Sequence, residues 1–254
     1  LKYSHDASIF DIRPKLVLFP LDAEDVKNLV KWVSENQAKY PGLSITARCA
    51  GTDMSGGAVG ESIILDFTRY MNKLIKFTAG QENSRVLTLK GSDADSNFPD
   101  PPSITVQPGM FYRDFEKLTL ERGLILPCFT ASKTINAMGG MYGNNSAGER
   151  TLRYGKTDDY VLEAKVVFAD GTEKTVKPLP ISEVSKEESY AKVFNLIKKN
   201  EKEIMDAKPD VHKNSAGYYI WNVIKDNIFD LNKLLVGSQG TLGIATEITF
   251  KLVP

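Results

Sequence analysis

The chain has 254 residues, and its 32 Lys plus Arg balance 32 Asp plus Glu to a formal net charge of zero, without the basic excess that nucleic-acid and anionic-membrane binding usually need. Apolar residues make up 42% of it, an ordinary globular share, and none of its apolar runs approaches the roughly 20 residues that cross a bilayer. At roughly 150 residues per domain, the length suits one large domain or two small subdomains on a shared core.

The first third alternates strand and helix. Leu16 to Phe19 is a short apolar run closed by Pro20, the pattern of a strand end. Asp22 is placed to cap a helix, with Asp25 three residues on in a near capping box. Val26, Leu29, Val30 and Val33 then recur at helical spacing until Pro41-Gly42. Leu43 to Ala47 and Ser62 to Phe67 read as two more strands, on either side of a Gly-rich loop. This order suggests a small βαβ-type subdomain over residues 1–75. Residues 76–254 read as a larger subdomain with a mainly antiparallel sheet, so the expected class is α+β. Strands are expected at Val86 to Lys90, Ile104 to Gln107, Val161 to Ala169, Glu173 to Val176 and Ile244 to Leu252, with Asp170-Gly171 turning a hairpin. Helices are expected from Phe111 to Arg122, ended by Gly123, and across the Lys-rich stretch Glu183 to Lys208. Asn136 to Gly148 reads as a long loop. Cys49 and Cys128 form no metal spacing, so no metal site is expected and a reducing cytoplasm is the default. His5 and His212 lie at opposite ends of the sequence and suggest surface or hydrogen-bonding roles.

Three Gly-rich loops, each beside an expected strand, carry the chemistry. In the first, Arg48 to Gly57, small residues let successive backbone N–H groups turn inward as a concave nest for phosphate oxygens. Thr52 and Ser55 add hydroxyls, and Arg48 stands at the mouth, either to pair with an anion or to brace the loop. Taken alone, the loop also fits an ordinary surface turn. It is not a Rossmann fingerprint, because it leads into a strand instead of a helix. Gly155-Lys156-Thr157 matches the end of a Walker loop, but Arg150 stands where its first glycine belongs. The second loop, Met138 to Gly148, joins Gly139-Gly140, open to close approach, with Asn144, Asn145 and Ser146, which can hydrogen-bond a polar ring edge. The third, Gly237 to Ile244, spaces glycines for a tight turn into the last strand. Simple structural bends would use the same residues in both.

In this order and spacing the three loops resemble the PCMH-type FAD-binding fold of the vanillyl-alcohol-oxidase kind. The closer likeness is to its D-2-hydroxy-acid dehydrogenase branch, which includes D-lactate dehydrogenase, the glycolate oxidase FAD subunit and D-2-hydroxyglutarate dehydrogenase. FPLDAEDV at Phe19 to Val26 and VVFADG at Val166 to Gly171 add to it, and it runs from Tyr3 to Pro254. The resemblance implies FAD as cofactor. Ala50, Gly51, Thr52, Asp53, Ser55, Gly56 and Gly57, with Arg48 and Cys49 beside them, would hold the pyrophosphate. Pro108 and Gly109 would support the cofactor from the second subdomain. Ser132, Gly139, Gly140, Asn145 and Ser146 would line the flavin, with Asn144 and Gly148 in the same run and Tyr154-Gly155 after it. Gln239 and Gly240 lie in the closing loop, and Ile244 would contact the adenine or ribityl side through backbone groups. Cys49 stands where the family commonly has Gly, Asp53 where it commonly has Ser, and Gln239 where it usually has an acid.

The expected reaction is oxidation of a D-2-hydroxy acid by hydride transfer to flavin N5. The family's substrate acid, proton-abstracting histidine and any divalent metal belong mostly to a C-terminal substrate domain. The chain has no initiator Met and stops at Pro254, so that domain is expected to be absent here and catalytic residues stay unassigned. KNSAGY, Lys213 to Tyr218, resembles relatives with iron–sulfur modules, so such a module or another electron acceptor is an implied partner. The Lys-rich helices read as a solvated face or as a docking surface for the absent domain. Two rivals are a non-catalytic FAD-binding, electron-transfer subunit of a multi-chain complex and a sugar-nucleotide reductase of the cell-wall type. The stretch from Tyr154 to Gly171 favours the hydroxy-acid branch. Some members tether FAD through a histidine in the first loop; Thr52 stands nearest that place and cannot form the bond, so the flavin is expected to be non-covalent. Trichloroacetic acid added to the flavin-loaded protein should leave a colourless pellet, and a yellow pellet would refute this.

Overall fold

A computed structural model describes residues 2–80, 101–211, 214 and 217–254. The strand expected over Val86 to Lys90, His212, and Lys213, Ser215 and Ala216 of the KNSAGY stretch lie outside the described residues. Among the described residues no helix is long and apolar enough to cross a membrane.

The N-terminal elements are β1 (Leu16–Leu18), α1 (Ala23–Asn36), β2 (Ile45–Arg48) and β3 (Ile63–Asp66). Their strands form a parallel sheet in the order β1-β3-β2. β3 is flanked on both edges and all of it is buried, which is why it reads as a continuous apolar run instead of an alternation. The Asp22 carboxylate caps α1, accepting from the N–H groups of Glu24 and Asp25 at 2.9 and 3.1 Å. Asp25 reaches back to the Leu21 N–H at 2.8 Å, one residue before the cap. Val26, Val30 and Val33 form the buried face of the helix.

The chain then builds β4 (Leu74–Thr78), β5 (Ser103–Val106), α2 (Tyr112–Leu120), α3 (Met138–Gly143), α4 (Thr151–Tyr154), β6 (Val161–Val167) and β7 (Glu173–Val176). There follow β8 (Leu179–Pro180), α5 (Glu188–Lys199), α6 (Glu201–Asp206), β9 (Ile224–Lys225), β10 (Ile228–Phe229), α7 (Asn232–Leu235) and β11 (Ile244–Lys251). The main sheet is antiparallel, in the order β4-β5-β11-β6-β7, so the last strand of the chain is its centre. The fold is thus α+β, a parallel three-stranded sheet beside a five-stranded antiparallel one. Tyr112, Phe115, Leu126, Ile104, Ile248 and Phe250 fill the larger core, with Phe115 edge-on to Phe250 at 6.1 Å. A smaller cluster joins the two sheets: Val26, Val30, Leu65, Phe67 and Met71 pack with Val167 and Ile244.

Several elements differ from the sequence expectation. The Gly-rich second loop contains a helix, α3, because Met138, Met141 and Tyr142 recur at helical spacing and are buried. Their anchoring outweighs the ~1 kcal/mol that each glycine costs a helix. The Lys-rich stretch is not one helix: a 3-10 turn over Ile181–Lys186 precedes α5, and Asn200, at φ -111° and ψ 21°, separates α5 from α6. β4 is half-exposed at the sheet edge, and the small β8-β10-β9 sheet uses two-residue strands too short to show a period.

The Gly155-Lys156-Thr157 segment serves packing. Asp158 is buried between Lys156 Nζ at 3.4 Å and Lys233 Nζ at 3.1 Å. Lys156 Nζ also donates to the Asn214 carbonyl at 3.1 Å and lies 4.1 Å from the Tyr219 ring centroid. The Asp158 N–H donates to the Asn145 side-chain oxygen at 3.0 Å. Burial opposes ionisation of the Asp158 carboxyl, but the Lys233 and Lys156 ammoniums and its hydrogen bonds win and hold it below the usual carboxylate range. The folded chain therefore takes up this proton only at lower pH than the unfolded chain. The resulting stability is complete above the unfolded carboxyl's range and is lost as pH falls through the folded value. Asp158→Asn should cost about 3 kcal/mol at neutral pH, because the buried Lys156 and the partly buried Lys233 lose their shared counter-charge. In urea melts the gap to wild type should shrink below about pH 4; equal midpoints at pH 7 would overturn this account.

Candidate cofactor-binding site

The three Gly-rich loops meet in one cleft at the seam between the sheets. Cys49 to Asp53, Gly57 and Ala58 come from the first loop, Gly139, Gly140, Gly143 and Asn144 from the second, and Gln239, Gly240 and Gly243 to Ala245 from the third. Ala47, Phe67, Pro108, Ala137 and Tyr142 complete the walls. Most of these residues are Gly, Ala or other small residues, so much of the cleft is bounded by backbone.

β2 delivers Arg48 to the start of the first loop. Its guanidinium is buried, donates to the carbonyls of Ala58 and His5 at 2.9 Å each, and lies 5.5 Å from the Tyr3 ring centroid. Of its two possible roles, this geometry is that of a brace. Gly51 sits at φ +69° directly against that guanidinium, where a Cβ would collide with it. Among the described residues, the N–H groups from Ala50 to Asp53 meet no protein acceptor. A row of free N–H groups on a loop of small residues is what a diphosphate requires. FAD therefore fits the donor set on the first loop.

The second loop packs hard against the first. A Cβ on Gly139 would stand 2.5 Å from Pro108 Cβ and 2.8 Å from Cys49 Sγ. The Gly139 N–H and the Cys49 thiol donate to the same Pro108 carbonyl, at 2.8 and 3.3 Å. Burial pushes the Cys49 thiol up to about 12, and that of Cys128 likewise to about 12, so both are neutral and poor nucleophiles. The third loop is stitched to α3: the N–H groups of Gly237 and Gln239 donate to the carbonyls of Tyr142 and Gly143 at 3.0 and 2.9 Å.

A side-chain network closes the mouth. The Gly57 N–H donates to Asp53 Oδ2 at 2.5 Å and the Ser55 hydroxyl to the same oxygen at 2.8 Å. Asn144 Nδ2 donates to Asp53 Oδ1 at 3.0 Å, and Gln239 Nε2 donates to Ser55 Oγ at 3.1 Å and to Asn144 Oδ1 at 3.3 Å.

Other residues singled out in the sequence stand outside the cleft wall. Ser55 and Gly56 form its outer rim, where Phe10 packs against Gly56. Gly109 lies beneath, its N–H donating to the Met71 carbonyl at 2.8 Å. Ser132 exchanges a hydroxyl contact with Thr130 at 2.8 Å. Asn145 is buried behind the second loop, and the Ser146 carbonyl accepts the Thr157 hydroxyl at 2.7 Å. Gly148 abuts the Phe129 carbonyl, the Tyr154 carbonyl accepts the Tyr160 hydroxyl at 2.6 Å, and Gly155 at φ +77° ends α4. These groups support the loops from behind. Conversely, Ala47, Ala58, Phe67, Ala137, Tyr142, Gly143, Gly243 and Ala245 line the cleft without having been singled out. The available signal was their position immediately beside the Gly-rich loops, which small residues at strand and helix ends share.

Comparison with known proteins agrees with this geometry. The family described as FAD binding domain matches residues 14–177, more than half of the chain. D-2-hydroxyglutarate dehydrogenase of Escherichia coli (strain K12) is 27% identical over 97% of this chain and 23% of its own length. Glycolate oxidase subunit GlcD of Bacillus subtilis (strain 168) is 28% identical over 100% of this chain and 40% of its own. The mitochondrial D-lactate dehydrogenase [cytochrome] 1 of Saccharomyces cerevisiae is 26% identical over 94% and 30%. The chain thus spans well under half the length of these relatives. Among solved structures, an alkyldihydroxyacetonephosphate synthase shares the fold, with a TM-score of 0.54, 17% identity, and coverage of 93% of this chain and 31% of that one. With the fold, the loop chemistry and the sequence match in agreement, the chain belongs to the FAD binding domain family and FAD is its cofactor.

Proposed function

We propose that this chain is the FAD-holding part of a dehydrogenase that oxidises a D-2-hydroxy acid. The observation that carries the reading is the seam cleft, where Ala50 to Asp53, whose N–H groups meet no protein acceptor among the described residues, line one space with Gly139, Gly140 and Gly240. The likeness to dehydrogenases named for D-2-hydroxyglutarate and D-lactate, and to a glycolate oxidase subunit, supports the substrate class. When bound, the flavin supplies a hydride acceptor at N5 for the carbon that bears the hydroxyl.

The chain's own residues bind and orient. The N–H groups of the first loop hold the diphosphate, with Arg48 bracing that loop from within. Small residues of the second loop exclude water from the ring without filling its space. Attachment is non-covalent, since Thr52 offers no ring nitrogen and the neutral Cys49 thiol is turned to the Pro108 carbonyl. The substrate acid and the base that takes the hydroxyl proton belong to a C-terminal substrate domain, with electrons leaving to a separate acceptor or an iron–sulfur module. A division near residue 75 separates the two FAD-binding subdomains. The protein works in a reducing cytoplasm, in keeping with Cys49 and Cys128 as free thiols.

Titrating the purified chain with FAD should quench flavin fluorescence saturably. In the full-length protein, D-lactate, D-2-hydroxyglutarate or glycolate should bleach the flavin absorbance. A folded chain that binds no FAD would overturn the cofactor half. A flavin that stays oxidised with all three acids would overturn the substrate half.

A further inference from the structure

Asp53 places a carboxylate where an anionic cofactor is to be held. Both of its oxygens are already occupied by donors from two loops: the Gly57 N–H at 2.5 Å, the Ser55 hydroxyl at 2.8 Å and Asn144 Nδ2 at 3.0 Å. Gln239 extends the hold to the third loop through Ser55 and Asn144. All of these donors are neutral. Among the described residues no Lys, Arg or His forms an ion pair with Asp53, and the nearby Arg48 is turned to two backbone carbonyls. The acidic group is thus solvated by the loop, and its charge is not cancelled.

A diphosphate entering this cleft meets a like charge and finds three of the neighbouring donors engaged. We propose that Asp53 is an internal stand-in for the cofactor diphosphate. In the cofactor-free chain it satisfies Gly57 and Ser55 of the first loop and Asn144 of the second, beside the free N–H groups of Ala50 to Asp53, and keeps the three loops clasped. Loading then exchanges one anion for another: the carboxylate gives up Gly57, Ser55 and Asn144 as the diphosphate arrives. Asp53 is a positioning residue that lowers FAD affinity while stabilising the empty fold, an inference that rests on the cleft being the FAD site. Those two effects have opposite sign, which separates this role from a merely structural one.

The test is FAD titration by fluorescence quenching, with thermal melting of the cofactor-free protein, for wild type, Asp53→Asn and Asp53→Ser. Asn keeps the shape and one acceptor without the charge; Ser keeps only a short hydroxyl. Both variants should bind FAD about tenfold tighter, because a like charge leaves the cleft. Both should also melt at lower temperature when empty. Equal or weaker FAD binding by both variants, with wild type still binding, would overturn the proposal. Folded wild type and variants that all bind no FAD would instead overturn the assignment of the cleft.

Discussion

The cleft exists because two sheets of different kind are welded along one short line. Val26 and Val30 of α1, Leu65 of β3, and Phe67 and Met71 just beyond it pack with Val167 and Ile244 of the antiparallel sheet. That apolar contact sets the first loop beside the other two, and the loop-to-loop hydrogen bonds then hold it there. Burial on this scale stabilises through the area removed from water, at about 25 cal/mol per Å². Immediately beside the weld the side chains become small, and the seam opens into a cavity lined by backbone. Adhesion and binding are therefore neighbouring stretches of the same chain: Phe67 closes the weld and also lines the cleft, and Ile244 does both as well.

The electrostatics of the cleft follow from its composition. Among the described residues no lysine or arginine lines it, although FAD carries an anionic diphosphate. The favourable field comes from backbone N–H groups, which act as fixed partial charges. The cationic side chains near the site do other work. Arg48 is sunk into carbonyls behind the first loop, and Lys156 and Lys233 neutralise Asp158 behind the second. Charge thus fixes the shape of the loops, and neutral donors face the ligand.

Most of the architecture was legible in the sequence because its signals are local. The Asp22 cap, the Val26-Val30-Val33 stripe, the Asp170-Gly171 hairpin and the alternation of β11 each need only a few neighbours to be read. The helix in the second loop was not legible, because glycine content argues against it and the burial of Met138, Met141 and Tyr142 depends on partners far away in sequence. The same limit governs the site. Gly-rich loops marked where backbone faces a ligand, yet could not separate Gly139, pressed on Cys49 and Pro108, from Gly148, which packs on Phe129 away from the cleft. Arg48 could be read either as an anion partner or as a brace, and only the position of the Ala58 and His5 carbonyls distinguishes the two.

The central place of β11 bears on how the protein is made. The parallel sheet is complete once Asp66 has been synthesised, since its three strands and its helix lie within one continuous stretch. The antiparallel sheet has no such order. β5 and β6 flank a gap that Ile244–Lys251 fills, so during translation each presents an unpaired edge until that strand has emerged. Nascent chains held in that state are open to edge-to-edge association, and shielding by a chaperone would act on the antiparallel sheet after the three parallel strands have already paired.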